Sequence, residues 1–166
     1  MNTIRYLELS ERIRSEVLEL ERAVERGLHA WHLARQTSQE QDVYLDSVAL
    51  NLHGFYAGLE RLFELTARRV DSTLPEGKTW HRDVLWQMRT DKPGVRPAMI
   101  SEDTAEQLDA FRRFRHLVRN VYTFNLIPDR MAPLLDVLPD LWYQLRQELL
   151  AFSEFLAAVA DASQQG

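Results

Sequence analysis

Arg112, Arg113, Arg115 and Arg119 fall in one short stretch that contains no acid, in a chain whose formal net charge is −5. A protein that is acidic overall offers no general attraction for a polyanion, so a cluster of guanidiniums of this kind is a local site for one in outline. His116 and Asn120, four residues apart, and Tyr122 add a titratable ring, an amide and a hydroxyl to the same stretch. Leu108, Phe111, Arg115, Val118 and Tyr122 recur at steps of three and four, which places Arg115 where the apolar stripe of a helix asks for a hydrophobic residue. A guanidinium cannot shed its charge, and burying it alone costs several kcal/mol. Arg115 must therefore meet an acid or an anionic ligand, and the residues leave both open: a structural ion pair with a carboxylate at the core edge such as Glu60 or Glu64, or an anion site. A solvated basic face paired with acidic helices is the commoner explanation of charge clusters, but it explains poorly why Arg115 interrupts the stripe.

Other chemistry is thinner. His29 and His32 have a spacing that can ligate a metal, but no acid or cysteine completes the set, so no metal site is expected. His53 lies beside an apolar stripe, where a satisfied boundary histidine is the ordinary explanation. Tyr56, Trp80, Trp86 and Trp142 could stack bases, though at helical spacing among other apolar residues such rings belong more often to a core. The chain has no cysteine, which excludes disulfides, thiolate metal sites and a cysteine nucleophile. It also has no phosphate-binding glycine loop, dinucleotide fingerprint or Ser-His-Asp arrangement. No cofactor is expected.

The elements that must hold these residues read as helices throughout. Ile13, Val17, Leu20, Val24, Leu28 and Trp31 form one amphipathic stripe, with Gly27 as an end or a weak point. The polar stretch from Gln36 to Asp42 reads as a turn. Leu45, Val48, Leu52, Phe55, Leu59, Leu62, Thr66 and Val70 form a second and longer stripe. Gly54 and Gly58 on that helix each lower its intrinsic stability by about 1 kcal/mol and suggest a close approach by another helix. Asp71 to Ile100, rich in proline and glycine, reads as connection around one short helix from Trp80 to Met88. Ser101 is a candidate N-cap, with Glu102 and Asp103 suited to the first turn of a helix that runs to about Tyr122. Pro128, Pro133 and Pro139 mark a further connection, after which Leu141, Leu145, Leu149, Phe152, Phe155 and Val159 mark the last long helix. Residues 161–166 are expected to fray.

No stretch alternates at period two, so the fold class is all-α: an up-and-down bundle of four long helices plus one or two short ones, in a single domain over residues 1–160. The 166 residues, 45% hydrophobic and 27% charged, suffice for one core. The start becomes charged too soon for a signal peptide, and no apolar run approaches the roughly 18 residues of a membrane span. These features predict a soluble, cytoplasmic protein with no membrane association.

The segment Phe114-Arg115-His116-Leu117-Val118-Arg119-Asn120-Val121-Tyr122 resembles the motif Arg, four residues, His, one residue, Tyr of HEPN-domain ribonucleases, and toxins of the HepT type are the nearest match. Leu52-His53-Gly54-Phe55-Tyr56-Ala57-Gly58-Leu59-Glu60 and Trp80-His81 are similar to HepT-like sequences as well. The resemblance implies a HEPN-like helical bundle and a metal-independent endoribonuclease acting on RNA, with tRNA one candidate substrate. It implies a homodimer in which two motif helices build one basic cleft, and a minimal nucleotidyltransferase antitoxin as partner. Arg115 would then hold the scissile phosphate, Arg112 and Arg119 would attract the RNA backbone, and Tyr122 would be the tyrosine adenylylated by the antitoxin. The departure from the motif is Asn120, which stands in the histidine's place and cannot take a proton near neutral pH. His116 has the right chemistry for a substitute base. One residue from Arg115, it points roughly 100° around the helix, so the partner subunit or the RNA would have to bring the two together. Alternatives are a weakened HEPN protein that binds RNA or nucleotide without turnover, and a structural interaction module whose arginines pair internally.

Overall fold

A computed structural model describes residues 3–120 and 126–166, with the side chains of Arg119 and Asn120 outside the description. Its elements are α1 (Thr3–Gln36), α2 (Gln41–Thr66), a π-helical turn over Ala67–Asp71, α3 (Trp80–Met88), α4 (Glu102–Asn120) and α5 (Pro128–Gln164). The chain is the all-helical bundle that the periodicity predicts, with four long helices and a short one. Among the described residues, no helix is long and apolar enough to cross a membrane.

The stripes read from the sequence are the buried faces. Ile13, Val17, Leu20, Val24 and Trp31 of α1 are buried, as are all eight stripe positions from Leu45 to Val70. α1 packs chiefly along α2 and α5, while α2 also carries α3 and α4 on its far half. Gly27 does not end α1. It is buried where a Cβ would stand 3.5 Å from Cβ of Asn51, so it marks a crossing with α2. The two α2 glycines differ: a Cβ on Gly58 would fall 2.8 Å from Oε1 of Glu16 and 3.0 Å from Cδ2 of Leu20, whereas one on Gly54 would meet nothing within 4 Å. Close approach thus explains Gly58 and leaves Gly54 without a packing role.

The largest correction concerns α5. The expected connection through Pro128, Pro133 and Pro139 is helix: Pro128 sits at its start, where a missing N–H costs nothing, and the other two prolines lie inside it. An interior proline costs about 3 kcal/mol. Met131, Leu134, Leu135, Leu138, Leu141, Trp142 and Leu145 continue one buried face across both prolines, and each is worth roughly 1.5–3 kcal/mol when buried. Burial wins. The helix also runs on to Gln164, through most of the segment expected to fray.

Two anchors fix α3 and α4 on this frame. The Ser101 hydroxyl accepts from the Thr104 N–H at 3.2 Å, as an N-cap should. Glu148 on α5 accepts from the Ser101 N–H and, at 2.7 Å, from the Thr104 hydroxyl, placing an anion at the positive end of α4. On the other side, Arg96 grips Asp71 with two bonds, Nε to Oδ1 at 2.6 Å and Nη2 to Oδ2 at 2.7 Å, both side chains 1% exposed. The guanidinium also donates to the carbonyls of Gln87, Thr90 and Pro97, and Gln87 donates to Asp71. This buried network ties the connection after α3 to the end of α2 and so sets where the start of α3 lies.

Candidate functional site

Where the start of α3 faces α4, the structure has an open cavity of about 250 Å³ lined by Lys78, Thr79, His81 and Arg82 on one side and Arg112, Arg115 and His116 on the other. Among the described residues, no carboxylate lines it. Four permanent cations and two imidazoles thus line one cavity in a protein of net charge −5, and three of the cations pair with carboxylates outside its lining: Arg82 with Asp83, Arg112 with Asp109 and Arg115 with Glu60. The volume falls below the roughly 300–1,000 Å³ of pockets that enclose drug-sized ligands, and suits a phosphate and its sugar at the surface better than an enclosed nucleotide.

Arg115 is held from beneath by the carboxylate suggested for it. Its Nη1 donates to Oε1 of Glu60 at 2.7 Å, with the arginine side chain 17% exposed and the glutamate 4%. Glu64, the other candidate, pairs with Arg68 instead. The second Glu60 oxygen faces Nδ1 of His81 at 2.8 Å. Arg115 therefore both balances a buried charge and reaches the cavity: Glu60 uses one donor of a guanidinium that has five. Its Nε is buried without a hydrogen-bond partner among the described residues.

Near this trio lies Tyr56, fully buried with no hydrogen-bond partner for its hydroxyl among the described residues. Burial first, and then the Glu60 carboxylate, push its phenol well above the ordinary range, with Arg112 and Arg115 opposing. It stays a neutral core ring. Phe55 packs edge-on against Phe111 and Trp142, with ring centres 5.9 and 6.0 Å apart, so aromatic contacts join α2 to α4 and α5 in the core.

Of the sequence candidates, the structure brings together Arg112, Arg115 and His116. His116 lines the same cavity as Arg115. Arg112 and Arg113 both pair with Asp109, at 2.7 and 3.5 Å, an acid one turn before the stretch in which none was found. Arg113 does not line the cavity. Asn120 is the last residue of α4; its side chain, that of Arg119, and Tyr122 lie outside the described residues. Tyr56 and Trp142 belong to the core, Trp80 lies against the His81 ring, and the Arg89 guanidinium covers Trp86 at 4.2 Å. His29 and His32 are exposed, and no group of three or more metal-ligating residues occurs among the described residues.

The sequence reading missed Lys78, Thr79 and Arg82, and gave His81 no role of its own. Lys78-Thr79-Trp80-His81-Arg82 does carry a signal, three cationic or titratable side chains without an acid, but only the docking of α3 on α4 makes it part of the arginine site. A family model described as HepT-like protein matches residues 47–156, a span that contains every residue of this cavity. No curated protein and no solved structure matches the chain.

Proposed function

Because the chain belongs to the HepT-like protein family, we propose that it is a HEPN-type toxin that cleaves RNA, tRNA included, without a metal, and that a nucleotidyltransferase antitoxin silences it. The observation that carries this reading is the cavity between α3 and α4, lined among the described residues by four cations, two histidines and no carboxylate. Lys78, Arg82 and Arg112 draw the RNA backbone in, and Arg115 holds the scissile phosphate, whose charge grows in the transition state. Glu60 keeps that guanidinium in one orientation, so little is lost to reorganisation when the phosphate arrives. By the family resemblance, Arg119 attracts the backbone together with Arg112, and Asn120 orients or donates. Tyr122 is the acceptor of the silencing adenylate. A homodimer, acting in the cytoplasm with residues 1–160 as one domain, would join two such cavities into a longer groove.

The test is cleavage of purified total RNA in EDTA by wild type and Arg112→Gln, a variant that removes a cavity charge and leaves the Glu60–Arg115 pair alone. Cleavage that falls at least tenfold in the variant supports the reading; equal cleavage removes the cavity from it. A binding protein without turnover is the second reading, favoured by Asn120 in the histidine's place. It predicts salt-sensitive RNA binding and no product.

A further inference from the structure

Glu60 is buried, 4% exposed, and receives two close partners: Nη1 of Arg115 at 2.7 Å and Nδ1 of His81 at 2.8 Å. An ionised carboxylate only accepts, so the imidazole nitrogen facing it carries the hydrogen, and the nitrogen left to a ligand is Nε2. The His81 ring is fixed a second time by Trp80, whose ring centre lies 3.7 Å away at 31°. His81 nevertheless reaches the cavity, 29% exposed, beside Arg112, Arg115 and His116. A carboxylate that sets the tautomer of a histidine, next to an arginine that would hold a phosphate, is the arrangement a general base requires.

Resting on the ribonuclease reading above, we propose that His81 is the catalytic base that Asn120 cannot be, and that Glu60 is its positioning residue. His81 Nε2 takes the proton of the ribose 2′-hydroxyl, and the 2′-oxygen attacks the adjacent phosphorus. The new P–O2′ bond forms as the P–O5′ bond breaks, and the leaving 5′-oxygen takes a proton from water while His81 returns its own to solvent. The products are a 2′,3′-cyclic phosphate and a 5′-hydroxyl, with no metal or co-reactant consumed. Substrates are therefore limited to RNA with a free 2′-hydroxyl at the cut.

The experiment uses His81→Asn, whose amide can still donate to Glu60 but cannot take a proton, on an RNA oligonucleotide that carries a site mapped with wild type in EDTA. The expected result is a kcat at least 100-fold lower with unchanged melting and RNA binding, and partial recovery with added imidazole. The acid limb of the wild-type pH–rate profile should also be lost. Glu60, Arg112, Arg115, His116, Lys78 and Arg82 remain around the position in the variant, so loss of the limb belongs to His81. If His81→Asn melts below the assay temperature, His81→Gln, also a donor, is read in its place. A folded variant that keeps wild-type kcat and pH profile overturns the assignment of His81 while leaving the ribonuclease reading intact. Absence of cleavage by wild type overturns both.

Discussion

Replacing Arg115 with Ala removes the strongest partner of a carboxylate that is 4% exposed and leaves His81 alone to balance it. Removing one member of a buried ion pair costs about 3–5 kcal/mol, because the remaining charge is stranded in a medium that solvates it poorly. In a chain of this length 1 kcal/mol shifts the midpoint by about 2–4 °C, so Arg115→Ala should melt roughly 6–20 °C below wild type. The decisive comparison is the pair Arg115→Met and Glu60→Met, alone and combined, followed by thermal unfolding. Each single variant should be strongly destabilised. The double variant, with no charge left unpaired, should recover most of the loss, since well-packed apolar side chains replace buried ion pairs at little cost. Additive losses, or an Arg115→Ala midpoint within 1–2 °C of wild type, would refute the coupling. One consequence bears on any activity assay: loss of cleavage in Arg115→Ala mixes chemistry with unfolding, and Arg112 and His81 are cleaner probes.

Gly54→Ala should raise stability by up to about 1 kcal/mol, since its Cβ meets nothing within 4 Å; Gly58→Ala should gain less than Gly54→Ala, because its Cβ would displace the Glu16 carboxylate and press on Cδ2 of Leu20. Tyr56→Phe should be neutral or stabilising near pH 7, because it deletes a buried hydroxyl without a partner. The folded-state pKa of Tyr56 is raised, so its contribution holds below the unfolded value of about 10 and is lost above it; wild type should lose stability with rising alkalinity faster than Tyr56→Phe. Lys78→Ser with Arg82→Ser should weaken RNA binding and flatten its dependence on log salt by about 0.7 per lost phosphate contact, measured by fluorescence anisotropy between low and moderate salt.

Periodicity made much of this fold legible. The buried faces of α1, α2 and α4, the bounds of α3 and the Ser101 cap all follow from spacing and local chemistry, and so did the conflict at Arg115 with Glu60 as one of its candidate partners. Pro133 and Pro139 misled because a proline stops a helix only when the apolar stripe beyond it has nothing to gain by continuing, and here Leu134, Leu138 and Leu141 bridge both. Asp109 leaves no mark in the acid-free arginine stretch because it lies one helical turn before it. Lys78 and Arg82 were out of reach for a different reason. Their part in the site depends on the docking of α3 against α4, fixed by the Asp71–Arg96 network, whose members are 25 residues apart and leave no periodic trace.

Total RNA incubated with the protein in EDTA, with both yield and end chemistry read, bears most directly on the central claim that the cavity of α3 and α4 is the cutting site. Wild type should yield fragments ending in 2′,3′-cyclic phosphate with 5′-hydroxyl partners, and the folded Lys78→Ser, Arg82→Ser variant few or none. Cleavage that requires added metal, or that proceeds undiminished without those two cations, would contradict that claim.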